Sequence, residues 1–168
     1  MRQAERGFTL VEIMIVVAII ALLAAIAIPN VLRGRTTANE SAAVGNLRAL
    51  VSSLEMYRSV NNGYPDNWQA DMYTTPNPDF GPPSFNVAMG ASTVQGYNYT
   101  YTAAPAGCAE PNCTAYTLLT VPQTLNTTGT RSFFADQTGL ISHCVGTGTV
   151  AQFQAGESTI DAQPSACG

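Results

Sequence analysis

The sequence predicts an α+β fold, in which a long N-terminal α-helix packs by its second half on an antiparallel β-sheet of three or four strands. Three observations lead to this prediction. The first thirty residues are almost entirely apolar, the next thirty place apolar residues at helical spacing, and residues 96–145 alternate in the manner of strands. A chain of 168 residues suits one such domain with an appendage.

The apolar start of the chain contains one carboxylate. From Phe8 to Ile28 the only polar side chains are those of Thr9 and Glu12. As a helix, this run extends about 32 Å, which is enough to cross the core of a bilayer. A carboxylate in such a segment costs several kcal/mol and usually marks a function with a nearby partner. Glu12 is therefore the first candidate functional residue.

The helical pattern continues beyond this run. Pro29 has no N–H and is expected to kink or interrupt the helix, and Gly34 lowers helix propensity nearby. Apolar side chains then recur at steps of three and four residues and form one stripe: Val44, Leu47, Leu50, Val51, Leu54, Tyr57 and Val60. Asn61-Asn62-Gly63 is a stop signal, so one helix is predicted from about Phe8 to about Asn61.

A sheet is expected to cover this stripe. Residues 63–95 contain five prolines and are predicted to be an irregular connection. Residues 96–103 alternate tyrosine with polar side chains, and residues 114–122 are β-branched and apolar. Residues 131–145 predict a hairpin with its turn at Asp136 to Gly139. Strands that pack on one helix face make an α+β domain.

Four cysteines lie in the last third of the chain: Cys108, Cys113, Cys144 and Cys167. An even number after an export-like segment favours disulfides, and the spacings match no common zinc pattern. Four cysteines allow three pairings. The turn formers Pro111 and Asn112 favour Cys108–Cys113, with the second pair, Cys144–Cys167, tying the tail to the last strand.

The N-terminal segment is open to three interpretations. Arg2 and Arg6 before an apolar run, with Ala25-Ile26-Ala27 as a small-residue cleavage site, are typical of a secretory signal peptide. The length also suits a plain membrane anchor. Neither interpretation accounts for Glu12.

The third interpretation is a resemblance. RGFTLVEIMIVVAIIALLAAIAIP, residues 6–29, resembles the class III signal of type IV prepilins and of type II secretion pseudopilins. Gly7, Phe8 and Glu12 fill the family's places for the last leader residue, the first mature residue and the fifth-position glutamate. The resemblance implies that prepilin peptidase cleaves after Gly7 and that the new amine of Phe8 is methylated. It also implies that Glu12 of one subunit meets the Phe8 amine of a neighbour during assembly.

The resemblance extends these expectations to the whole chain, as a pilin fold. It implies that residues 1–7 are a cleaved leader. The helix would then have a transmembrane and filament-core half, residues 8–30, and an amphipathic half, residues 31–62. The αβ-loop (63–95), the sheet (96–145) and a disulfide-bounded loop (146–168) would follow.

The function implied is that of a structural subunit. Copies of the chain would wait in the inner membrane and pack by their N-terminal helices into a homopolymeric surface filament, a type IV pilus. Prepilin peptidase, an assembly platform and ATPases would be the other partners. Adhesion, twitching motility or DNA uptake would follow from that machinery.

Alternatives remain at this point. Two predicted disulfides and a mature length of 161 residues favour a major pilin over a pseudopilin or a minor pilin. A different class of protein, a secreted binding domain, would follow from cleavage after Ala27.

Catalytic chemistry is not expected from this sequence, nor is a cofactor. His143 is the only histidine and is expected at the surface or packed on the sheet. Asp66, Asp71 and Asp79 lack the ligand spacing of an EF-hand and are expected as solvated loop charges, so no metal site is predicted. A net charge of −4, with seven arginines and no lysine, offers no basic patch for nucleic acid.

Overall fold

The computed structural model describes residues 8–74, 79–90, 93–154 and 166–167. The chain forms two compact units, Met1–Arg35 and Thr36–Gly168. The predicted leader with Gly7 lies outside the described residues. The first unit consists, in its described part, of the beginning of one long helix, and the second contains the sheet.

The long helix, α1, extends from Leu10 to Asn61 over 52 residues. The predicted helix is thus confirmed to within two residues at its start. It continues through Pro29 and Gly34, so the interruption considered at Pro29 does not occur. One missing N–H removes a single bond of the helical ladder, and the Asn30 side chain adds a bond to the Ile26 carbonyl in the preceding turn (3.1 Å). A kink at Pro29 or Gly34 stays a prediction.

The sheet has five strands, one more than the three or four predicted. They follow the chain order, and each is antiparallel to the next: β1 Thr93–Val94, β2 Tyr97–Ala104, β3 Ala115–Pro122, β4 Arg131–Asp136 and β5 Ile141–Val145. The additional strand, β1, is two residues long and lies in the predicted connecting region. Strands β4 and β5 form the predicted hairpin, in which the N–H of Gly139 donates to the carbonyl of Asp136 (3.0 Å).

The core of the second unit lies between α1 and one face of the sheet. The helix contributes Ala43, Leu47, Leu50, Leu54 and Tyr57, all buried. The sheet contributes Tyr97, Tyr99, Tyr116, Leu118 and Phe133. The stripe predicted from helical spacing is therefore the packing face of α1.

Val60 is the exception on this stripe, because its side chain is 64% exposed. Each three-residue step along an α-helix falls about 60° short of a full turn. Two such steps from Leu54, through Tyr57, carry Val60 off the packing face.

The connection between α1 and the sheet contributes to the core instead of lying loosely over it. Tyr64, Trp68 and Met72 are buried, and the indole N–H of Trp68 donates to the carbonyl of Phe85 (3.0 Å). Two short helical turns, Ala70–Thr74 and Pro83–Phe85, stabilise this path. A large indole buried with its polar atom satisfied anchors the segment.

Two disulfides close the ends of the sheet region. Cys108 bonds to Cys113, the pair that the turn residues favoured, and Cys144 bonds to Cys167, the pair expected to tie the tail to the last strand. Next to the second disulfide, a short helix, α2 (Val150–Gln154), packs its Phe153 side chain in a small separate apolar cluster with Cys144.

The packing face of α1 gives a first test. Leu47→Ala removes a fully buried side chain and should lower the free energy of unfolding by about 2–5 kcal/mol. Val60→Ala, on the exposed face of the same helix, should change it by less than about 0.5 kcal/mol. Denaturant unfolding of the disulfide-intact chain in detergent, followed by near-ultraviolet circular dichroism, measures both. Equal losses in the two variants would contradict this packing.

Candidate functional site

Thr9 and Glu12 form a reciprocal pair at the first turn of α1. The backbone N–H of Thr9 donates to Glu12 Oε2 (2.8 Å), and the Thr9 hydroxyl donates to the same oxygen (2.7 Å). In return, the backbone N–H of Glu12 donates to Thr9 Oγ1 (3.3 Å). This is a capping box, which satisfies backbone donors that a helix start leaves unpaired. The Thr-x-x-Glu spacing before an apolar run is its sequence signal, and the sequence analysis missed it.

The capping box uses only half of the Glu12 carboxylate. Oε2 accepts both bonds from Thr9, and Oε1 accepts none from the part of the chain that the structure describes. Within the described residues, no arginine pairs with Glu12. A carboxylate in an apolar environment needs a cation or further donors. Glu12 therefore has a structural role in its own helix and retains one oxygen for a partner.

The rest of this helix start is an apolar surface. Sixteen large apolar side chains between residues 8 and 32 are more than half exposed: Phe8, Leu10, Val11, Ile13, Met14, Ile15, Val16, Val17, Ile19, Ile20, Leu22, Leu23, Ile26, Ile28, Val31 and Leu32. By length and composition, α1 is able to cross a membrane. A contiguous apolar surface of this size marks contact with a membrane or with protein.

A second glutamate of α1, Glu40, fastens the helix to the sheet. Thr130 donates to Glu40 Oε1 from its backbone N–H (2.8 Å) and its hydroxyl (2.6 Å). Arg131 donates to Glu40 Oε2 from Nε (2.9 Å) and Nη2 (2.7 Å). The Glu40 side chain is only 8% exposed. We call this group the Glu40 clamp; it joins α1 to the first residue of β4.

The sequence analysis also missed the Glu40 clamp. The available signal was its position, because Glu40 precedes the buried Ala43 by three residues and the buried Leu47 by seven. A carboxylate on the packing face of a helix is buried, and a buried charge is usually paired with a cation from the element packed against it.

Hydrogen bonds decide the ionisation of Glu40. Burial by itself would raise the pKa of this carboxyl, but the bonds from Thr130 and Arg131, with the positive charge of Arg131, outweigh it and hold the pKa below the ordinary value of 4.5. Glu40 is therefore ionised at neutral pH and stabilises the fold in that form.

The other residues singled out from the sequence do not form a reaction centre. His143 is buried and packs near the ring of Phe133, with ring centroids 6.3 Å apart, so it is a sheet-packing residue. Asp66 shares a hydrogen bond with Asp71, and burial together with this acidic neighbour raises the pKa of Asp71. Among the described residues, no three His, Cys, Asp or Glu side chains are arranged to hold a metal ion.

A comparison with known proteins points to the same segment, the start of α1. Residues 2–28 match the family model described as the prokaryotic N-terminal methylation motif. The match covers Phe8 and Glu12 and most of the exposed apolar surface. This motif, the α+β fold and the relatives described next support a type IV pilin-like protein.

Relatives of two kinds are similar to the chain. The type IV wide pilus major component PilA4 of Thermus thermophilus is 49% identical over 70 residues, which are 42% of this chain and 53% of that protein. The type II secretion system core protein G of Klebsiella michiganensis is 41% identical over 68 residues, 40% of this chain and 48% of that protein. The chain thus spans about half the length of these relatives. No solved structure gives a significant match.

The Glu40 clamp generates a prediction about pH. Because the pKa of Glu40 is lowered in the folded state, its contribution is present above pH 4.5 and is lost as the pH falls through the folded-state pKa. Glu40→Gln should lower the free energy of unfolding at pH 7 by about 1–3 kcal/mol and flatten its dependence on pH below 5.

Glu55→Gln is the matched control. Glu55 pairs with Arg58 at 3.8 Å in an exposed position and accepts a hydrogen bond from the Tyr64 hydroxyl (2.6 Å). Glutamine keeps an oxygen for that hydroxyl, so loss of the charge alone should cost less than about 1 kcal/mol. Denaturant titrations at several pH values between 3 and 7 compare the two variants. If the free energy of unfolding of Glu40→Gln fell with pH below 5 as steeply as that of the wild type, the role assigned to Glu40 would be wrong.

Proposed function

We propose that the chain is a structural subunit of a type IV pilus filament. The observation that carries this proposal is the start of α1, where an exposed apolar surface follows a Phe8–Glu12 methylation motif. A surface that large has to be covered, and copies of the same helix offer the same chemistry. The similarity to a pilus major component over 70 residues supports the same assignment.

Maturation begins at the leader. Prepilin peptidase cleaves between Gly7 and Phe8, and the amine of Phe8 is then N-methylated. The helix stays on the mature protein and holds it in the inner membrane until assembly. Filaments then carry the subunit to the cell surface.

The cleaved amine is the cation that Glu12 lacks. Glu12 Oε2 is held by Thr9, so Oε1 is the oxygen that remains for the Phe8 amine of a neighbouring copy. In an apolar filament core, each of these charges alone would be unfavourable, and together they are much less so. A pairing of this kind sets the axial register between copies, and is better understood as a specificity device than as a source of net stability.

Helix packing supplies the rest of the filament. Ala18, Ala21, Ala24, Ala25 and Ala27 leave room for close approach of neighbouring helices. Contacts between two different surfaces of the same chain generate an open filament. The assembly platform and its ATPases drive growth of the homopolymer, and adhesion, twitching motility or DNA uptake come from the filament. In this proposal the chain is not an enzyme and uses no cofactor.

A second candidate function is a pseudopilus subunit of a type II secretion system, which the similarity to core protein G favours. The two disulfides and the mature length of 161 residues favour the pilus. Deleting the gene separates the candidates: loss of surface filaments with normal protein secretion supports the pilus, and the reverse supports the pseudopilus. A minor pilin would appear in sheared filaments only as a trace component.

Two variants separate the charge of Glu12 from its capping role. Glu12→Gln keeps the side-chain oxygen that can accept from Thr9, since glutamine also serves in a capping box, but it removes the charge. It should still be cleaved after Gly7 and should reduce the yield of sheared filaments by at least about tenfold. Thr9→Val removes the two hydroxyl bonds of the cap, leaves the backbone N–H of residue 9 and keeps the charge, and should assemble at near wild-type yield.

Mass spectrometry of the mature N-terminus accompanies the yield measurement. Methylated Phe8 is expected in the wild type and in both variants, whereas an N-terminus at Ile28 would support a secreted domain. Normal filament yield in Glu12→Gln, or an equal loss in Thr9→Val, would count against the charge pairing.

A further inference from the structure

The second unit has a groove beside the Glu40 clamp whose charge is not fully used. One wall is formed by Glu40, Ser41, Val44 and Arg48 of α1, and the other by Arg131 and Phe133 of β4. Its volume is about 340 Å³. We call it the Arg48 groove. Its floor is partly apolar, and its rim carries two guanidinium groups.

Arg48 is the cation that the fold leaves available. Among the arginines of the described part of the second unit, Arg131 is bound by Glu40 and Arg58 pairs with Glu55. Arg48 is exposed and makes no ion pair with any acid of the described residues. Arg131 is itself one-third exposed at the rim. In a chain with a net charge of −4, this groove is a local site for an anion.

The second unit also carries a group of negative charges, at a different position along the axis of α1. Asp66 shares a hydrogen bond with Asp71, and Glu110 bonds to the hydroxyl of Tyr57. We call these three carboxylates the acidic cluster. Tyr57 follows Arg48 by nine residues on α1, which corresponds to about 13 Å along the helix axis. Burial and the neighbouring acids raise the pKa of Asp71, so an approaching cation would relieve their mutual repulsion.

These positions suit a contact between copies. Two antiparallel copies could pair groove and cluster reciprocally, as a closed dimer. In parallel copies, such as those of the proposed filament, a groove and a complementary cluster at different heights join one copy to the next in a repeating, head-to-tail manner. Such a contact propagates along a filament. Charge complementarity of this kind selects the partner and fixes its register.

We infer that the acidic cluster of one copy docks on the Arg48 groove of the next copy in the filament, with the carboxylate of Asp66 pairing with the guanidinium of Arg48. Asp66 is the exposed member of the cluster, and so it is the one that a neighbour can reach. This inference rests on the proposed function and adds a contact between the sheet-bearing units to the contacts between helices.

Charge exchange tests this contact. Arg48→Glu and Asp66→Arg should each lower the yield of sheared filaments by about tenfold, because attraction is lost and repulsion is introduced. The double variant Arg48→Glu/Asp66→Arg restores the pair in reverse and should return to within about twofold of the wild type. The amount of subunit in the membrane is measured in parallel, so that a folding defect is recognised.

A second double variant is the matched control. Asp79 is another exposed acid of the connecting region, and Arg48→Glu/Asp79→Arg has the same net charge as the rescuing pair. It should remain defective. Equal rescue by both doubles, or wild-type yield from Arg48→Glu alone, would overturn the contact and leave the groove to an anion from outside the filament.

The proposed function and this contact fail differently. If the wild-type chain forms no filament with its own assembly machinery, the proposed function is overturned and the contact falls with it. If wild-type filaments form and Glu12→Gln abolishes them while Arg48→Glu does not, only the contact is overturned.

Discussion

The structure depends on one constraint, which is that the first half of α1 is an apolar surface left exposed among the described residues. Sixteen large apolar side chains are exposed there, and burying each of them is worth about 1.5–3 kcal/mol. Their sum exceeds the whole stability of a typical domain, about 5–15 kcal/mol. Lipid and neighbouring helices cover such a surface almost equally well, so the proposed transfer from membrane to filament would have little hydrophobic driving force. The shape complementarity of the helices and the few polar atoms would then decide whether the helix stays in the membrane or joins the filament.

Two glutamates on one helix show how the chain divides these tasks. Glu40 receives four hydrogen bonds from Thr130 and Arg131 and is satisfied within its own unit. Glu12 receives two bonds at one oxygen from Thr9 and keeps the other oxygen open. The first glutamate fixes the helix on the sheet. The second keeps a charge that, in the proposed filament, the Phe8 amine of another copy would pair with.

Local patterns in the sequence were sufficient for the helix, four of the five strands, the hairpin turn and the cysteine pairs, because each depends on residues close together or on a period. The Glu40 clamp was not predictable in this way, because Arg131 is 91 residues from Glu40 and the contact depends on the register of the sheet. Val60 was misplaced because a stripe read by spacing alone ignores the rotation that accumulates over successive steps. Trp68 lies in a proline-rich stretch, and tertiary contacts, such as its hydrogen bond to Phe85 and its packing on the ring of Tyr101, make that stretch part of the core.

The direct measurement is a cryo-electron microscopy structure of filaments sheared from cells that express this chain. We expect the α1 segments of several copies, over residues 10–32, to be packed together at the filament axis. The Phe8 amine of one copy should lie within about 4 Å of the Glu12 carboxylate of another. A filament that placed these two groups far apart and in water, or that held the apolar segment outside its core, would contradict the account.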